Sequence, residues 1–178
     1  TVATYMIAGH GTPDQAPARM FALEQPEAFS ALIDCLADCS AEYLIRQIDA
    51  GADAVQIFDS WAGVLDELSF ERWCVKPMAR IVAKVREKHP DVPIIGFPKG
   101  AGGKLPSYVR ETGVNAVGVD ETVDPRWIHR ELPGDLPVQG NLDPLLLISG
   151  GDELDKAARE LLAAFEGRPH VFNLGHGI

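Results

Sequence analysis

The run "VPIIGFPKGAGGK" (residues 92–104) decides the fold. Val92 to Phe97 is a short apolar stretch that reads as a buried strand. It gives way at once to a glycine-rich loop carrying Lys99 and Lys104. The same design recurs along the chain. "AVQIFD" (54–59) runs into Ser60 and Gly63, "AVGVD" (116–120) into Glu121, and "LPVQG" (136–140) into Asn141 and Asp143. "HVFNL" (170–174) runs into Gly175-His176-Gly177, and "VATYMIA" (2–8) into Gly9-His10-Gly11. Each strand-like run delivers glycine or polar groups at its C-terminal end.

Helical periodicity lies between several of these runs. In "FSALIDCLADCSAEYLIRQI" (29–48), Phe29, Leu32, Ile33, Leu36, Cys39, Tyr43, Leu44 and Ile48 follow the i, i+3, i+4 rule, and Gly51 is a plausible stop. A second stripe runs through Cys74, Met78, Ile81, Val82 and Val85, with Pro77 as a kink or a first-turn residue. A third runs through Leu154, Ala158, Leu161, Leu162 and Phe165. Shorter helices are expected near 105–112 and 126–131.

Strands alternating with helices indicate βαβ units and a parallel sheet. An open sheet gathers its site at one switch point. A (β/α)₈ TIM barrel collects site residues from the C-terminal ends of several strands. Functional groups at every strand end therefore predict the barrel. A full barrel has eight strands and typically ~250 residues. The chain has 178 residues and six strand-like runs. The expectation is one C-terminal portion, residues 1–178, holding strands three to eight, with 2–8 and 170–174 as sheet edges.

The composition, 46% hydrophobic and 24% charged, is that of an ordinary globular protein, and no apolar run approaches a membrane span. A net charge of −10 argues against nucleic acid and means that an anionic ligand needs local cations. Cys35, Cys39 and Cys74 fall in helix-like stretches without CxxC spacing. They read as buried small apolar residues in a reducing compartment, not as a disulfide or zinc framework.

The polar strand ends admit two readings each. "FPKGAGGK" fails the Walker pattern, because Leu105 follows Lys104. It is either a flexible βα loop or a loop that draws in an anion. Asp59 and Ser60 in "FDSWAG" (58–63) either cap the helix beginning near Leu65 or contact a ligand. Tyr5, with Ala3 and Ile7 on its side by alternation, is a core tyrosine if taken alone. His176 sits between glycines that leave its ring accessible, and no His-x-Cys or His-x-x-x-His pattern supports a metal.

Taken together, "TYMIAG", "FDSWAG", "PIIGFPKGAG", "VGVDETVD", "VQGNLDP" and "HVFNLGHGI" resemble, in order, the strand-end motifs of the uroporphyrinogen decarboxylase family. The resemblance covers essentially the whole chain; "QGNLDP" and "FNLGHGI" are its most specific pieces. It implies a cofactor-free, metal-free (β/α)₈ barrel, a cytoplasmic homodimer, with no nucleic-acid or membrane partner. It implies carboxy-lyase activity, removing CO₂ from the four acetates of uroporphyrinogen III to give coproporphyrinogen III. By the same resemblance Tyr5, Ser60 and His176 bind the substrate. The family's arginine-rich motif and pyrrole-binding aspartate match no position here, so the catalytic residues are not identified in this chain. Two other readings remain: a zinc-dependent corrinoid methyltransferase of the same superfamily, and a non-catalytic tetrapyrrole binder. The strand end "GFPKG" lacks the ligands the first would need.

Overall fold

A hydrogen bond fixes the shape of the sheet. In the computed structural model, which describes residues 1–178, Gln139 donates its amide to Gln56 at 3.0 Å. The two residues lie on strands three places apart. Strands pair at about 4.8 Å, so side chains standing off a flat sheet would remain ~14 Å apart. The sheet is curled.

Five parallel strands form it, in strict sequence order: β1 (Val55–Asp59), β2 (Ile94–Pro98), β3 (Ala116–Gly118), β4 (Val138–Leu142) and β5 (His170–Leu174). There is no switch point. Sequential parallel strands, helical crossovers and inward curl make an arc of a (β/α)₈ barrel.

The two faces differ in kind. Register places Val55, Ile57, Ile94, Val117 and Val138 on the outer face, where they are buried under helices. The covering helices are α3 (Pro26–Asp49), α5 (Lys76–Lys88), α6 (Leu105–Thr112), α7 (Pro125–Glu131) and α9 (Gly151–Ala164). They contribute Ala41 and Leu44, Met78 and Val85, Tyr108, Ile128, and Leu161 to one continuous core. The inner face carries Gln56, Phe58, Ile95, Phe97, Gly118, Gln139 and Asn173 by alternation. Phe58 is 61% exposed there. The apolar load is therefore on the outside of the arc.

Several expectations need correction. The run 2–8 is not a strand but helix α1 (Val2–Ala8). A short apolar run is ambiguous between the two states. Here Gly9, in the left-handed conformation, returns its N–H to the Tyr5 carbonyl and closes a helical turn. α1 then packs on α2 (Ala16–Glu24) and α3, burying Ala3. The sheet edges are consequently β1 and β5, so 170–174 is an edge but 2–8 is not.

The α3 stripe is rotated from its expected position. Phe29 and Leu44 are buried as expected, but Ala37 and Ala41 are the other buried positions, and Tyr43 is 68% exposed. Alanines let α3 approach α5 closely, and on the rim of that contact Arg80 makes paired bonds of 2.7 and 2.8 Å to Asp38. Asp38 is held down at about 2 by hydrogen bonds from Arg80 and Lys84. The rotation also turns Cys35 and Cys39 outward, and only Cys74 is buried. Pro77 lies in the first turn of α5, after one wider, π-type turn over Glu71–Val75.

Two substitutions separate the faces. Ile94→Ala, at a fully buried outer position, is expected to cost about 2–5 kcal/mol in urea unfolding. Phe58→Ala, on the open inner face, is expected to change stability by no more than about 0.5 kcal/mol. Equal losses would contradict this division of the sheet.

Candidate functional site

All five strands end on one rim, and the loops there are tied to one another. The extended backbone continues past β1 and β2: Lys99 donates its N–H to the Asp59 carbonyl, and Gly63 donates to the Lys99 carbonyl. Gly63 is required at that crossing, because a Cβ there would lie 2.7 Å from the Gly100 oxygen. One strand further on, Asp120 is buried at the end of β3 and accepts from the Gly100 N–H at 2.7 Å. It also accepts from the Thr122 N–H at 3.0 Å and from the Thr122 hydroxyl. Asn141, buried at the end of β4, donates to the carbonyls of Asp120 (2.9 Å) and Val123 (2.7 Å).

This stitching explains the motifs physically. In "QGNLDP", Asn141 holds the neighbouring loop, while Asp143 accepts from the Leu145 N–H at 2.8 Å and Pro144 opens helix α8 (Pro144–Ser149). "VDP" does the same for α7, with Asp124 accepting from the Arg126 N–H at 2.8 Å. The helix expected after "FDSWAG", α4 (Glu67–Phe70), is capped by Asp66, which accepts from the Ser69 N–H, and not by Asp59 or Ser60. Asp59 instead accepts from the Thr1 hydroxyl at 2.7 Å, and that hydroxyl accepts in turn from the Trp61 N–H at 3.2 Å.

The three candidate residues occupy two neighbouring places. His176 is half-buried and lines a cavity of about 270 Å³ inside the arc, with Gln56, Phe58, Phe97, Gln139 and Asn173. Its ring lies 6.2 Å from that of Phe97. Ser60 lines a second, more open depression of about 570 Å³ on the rim, beside Trp61 and Lys99. Tyr5 reaches this second place from α1: its ring stacks on Trp61 at a centroid distance of 4.6 Å, and its hydroxyl lies beside Gly11. The structure thus brings Tyr5 and Ser60 together through Trp61 and seats His176 one level deeper in the arc.

The glycines beside His176 do different work from that expected. Gly175 is buried, and a Cβ there would lie 2.3 Å from the Glu121 nitrogen. It lets the end of β5 pack on the β3 loop, whereas Gly177 faces open space. The two lysines also part company. Lys104 donates to the Leu65 carbonyl at 2.6 Å and lies 4.9 Å above the Phe70 ring, so it braces the loop. Lys99 faces the rim depression. Sequence reasoning passed over Gln56, Phe97 and Gln139. Their signal was alternation: each sits on the inward parity of a strand whose outward positions are aliphatic.

The rim has a charge dependence of its own. Burial pushes the Asp120 carboxyl up, but hydrogen bonds from Thr122 and the Gly100 N–H outweigh it, and the net direction is down. A folded-state value below the unfolded one stabilises the fold above the unfolded pKa of about 3.9. That contribution disappears as pH falls through the lower, folded value. Asp120→Asn is expected to lower the melting temperature at pH 6. The gap from the unsubstituted chain should narrow as pH is taken down towards 2, and a pH-independent gap would contradict the assignment.

Comparison with known proteins bears on the whole of this arrangement. The uroporphyrinogen decarboxylase (URO-D) family profile matches residues 1–178. A protein of Rhizorhabdus wittichii named uroporphyrinogen decarboxylase is 62% identical over 178 residues, covering 100% of this chain and 52% of that protein. Proteins of the same name from Chelativorans sp. and Sphingopyxis alaskensis are 61% and 60% identical, with the same coverage. The chain spans about half the length of the curated relatives it matches. With its arc of parallel strands and its motifs all on one rim, the chain belongs to the uroporphyrinogen decarboxylase family.

Proposed function

We propose that residues 1–178 are the C-terminal portion of a (β/α)₈ barrel that decarboxylates the four acetate side chains of uroporphyrinogen III, giving coproporphyrinogen III. The family match along the entire chain carries this reading. Two features of the rim support it. The inner face of the arc is open and lined by aromatic and amide side chains, suited to a large, flat, partly polar substrate. The rim above it offers Ser60, Tyr5 and a lysine, which are donors for carboxylates.

The chemistry asks little of the protein at the reacting bond. Protonation of a pyrrole α-carbon makes the ring an electron sink, and the acetate C–C bond breaks with loss of CO₂. The surrounding groups must hold the macrocycle and its carboxylates in place. In this reading Tyr5, Ser60 and His176 bind and orient substrate. A carboxylate facing the pyrrole N–H groups and a set of arginines, which match no position here, complete the site in the whole protein. We place that protein in the cytoplasm as a homodimer.

The test joins this chain behind the N-terminal half of the Rhizorhabdus wittichii relative and measures CO₂ release and coproporphyrinogen formation. The chimera should turn over uroporphyrinogen III. His176→Asn in it removes one hydrogen bond to a charged group, about 1.5–3 kcal/mol. It should lower kcat/KM roughly ten- to a hundredfold while leaving partial activity. A folded chimera with no turnover would count against the reading, and unchanged kinetics in His176→Asn would remove that residue from the site.

A further inference from the structure

We infer that Lys99, with the hydroxyls of Ser60 and Thr12, forms a dedicated subsite for one carboxylate of the substrate, and that Lys99 selects for substrates with many carboxylates. This rests on the proposed function and extends it to a residue group that the resemblance does not assign.

The depression beside Ser60 is walled by Trp61 and by glycine-rich backbone, and Lys99 is the only charged residue lining it. In a chain of net charge −10, a depression with one cation and no acid on its surface is the exception. Lys99 is half-buried and takes part in none of the ion pairs of the fold. The two acids bonded to its loop, Asp59 and Asp120, have hydrogen-bond partners of their own. Asp59 accepts from Thr1, and Asp120 accepts from Gly100 and Thr122.

The position of Lys99 is also built. By alternation Ser60 and Lys99 continue the inward parity of Phe58 and Phe97, one step beyond the strand ends. Their backbone is locked by the Lys99–Asp59, Gly63–Lys99 and Gly100–Asp120 hydrogen bonds. The ammonium is therefore carried by a fixed loop above the cavity that His176 lines.

An independent observation lies across the same depression. The Thr12 hydroxyl is buried and has no hydrogen-bond partner. Its loop is held by Gln15, itself buried, which donates to the Thr12 carbonyl. Lys99, Ser60 and Thr12 line one depression, and an unpaired ammonium with two hydroxyl-bearing residues matches a carboxylate, which accepts through two oxygens. The product has lost the four acetate carboxylates, so a subsite that holds one of them favours the substrate over the product.

The experiment titrates the chimera described above with uroporphyrin (eight carboxylates) and coproporphyrin (four), following quenching of tryptophan fluorescence. Lys99→Met should weaken uroporphyrin binding about ten- to a hundredfold, as for loss of one charged hydrogen bond. It should weaken coproporphyrin less, so that discrimination falls. Lys99→Arg should restore most of the affinity. Thr12→Val should weaken binding severalfold. Lys156→Met, on the exposed side of α9, should leave affinity unchanged and so separates a local contact from overall charge. Circular dichroism confirms that each variant is folded. Equal affinity in Lys99→Met, or an equal loss in Lys156→Met, overturns the subsite and leaves the proposed function standing. An unsubstituted chimera that binds neither porphyrin overturns both.

Discussion

The hydrogen bond between Gln56 and Gln139 joins strands three places apart, and it exists because helices load only one side of the sheet. Right-handed crossovers between consecutive parallel strands put every helix on the same face. That face is aliphatic and closes over a continuous core. The opposite face narrows at its centre: β3 contributes Ala116 and Gly118, and a Cβ on Gly118 would lie 2.6 Å from the Phe97 ring. Small residues in the middle of the arc let the larger inward side chains converge, and the sheet curls around them.

Once the sheet curls, strand ends that are far apart in sequence share one rim. Ser60 follows β1, Lys99 follows β2, and His176 follows β5, yet their cavities are adjacent. Parallel pairing also fixes their heights. Ser60 and Lys99 stand one step above Phe58 and Phe97, while Phe97 and Asn173 share with His176 the cavity below. The arc therefore offers two levels, an aromatic and amide level inside and a donor level above. A large ring with acidic arms would meet both.

Much of this was legible in the sequence, for definite reasons. Five runs rich in β-branched residues, each ended by glycine or polar groups, are the five strands, and the helices at 105–112 and 126–131 form where expected. Residues 2–8 became a helix because seven residues of mixed propensity are decided by their surroundings, here the Gly9 turn and the faces of α2 and α3. On α3 the size of a side chain does not report its burial. Alanine can be the contact residue where two helices approach closely, and the larger Tyr43 then points outward. The candidate residues were visible as chemistry at strand ends, but their grouping was not. Tyr5 joins Ser60 only through Trp61, a tertiary stacking that no local spacing encodes.

How an acidic chain can present a cationic rim follows from where its carboxylates point. Asp66, Asp124 and Asp143 each accept a backbone N–H at the start of a helix. There the partial positive charge of the helix terminus offsets them. Asp120 is turned inward to Gly100 and Thr122, and Asp59 to Thr1. These five aspartates are thus satisfied by the protein itself, and their hydrogen bonds build the loops. Lys104 is absorbed the same way by a carbonyl and an aromatic ring. Lys99 is not, so its charge is left unpaired on the depression it lines. Net charge describes the whole surface, but a ligand at the rim meets the local field, which here is set by which carboxylates are already engaged.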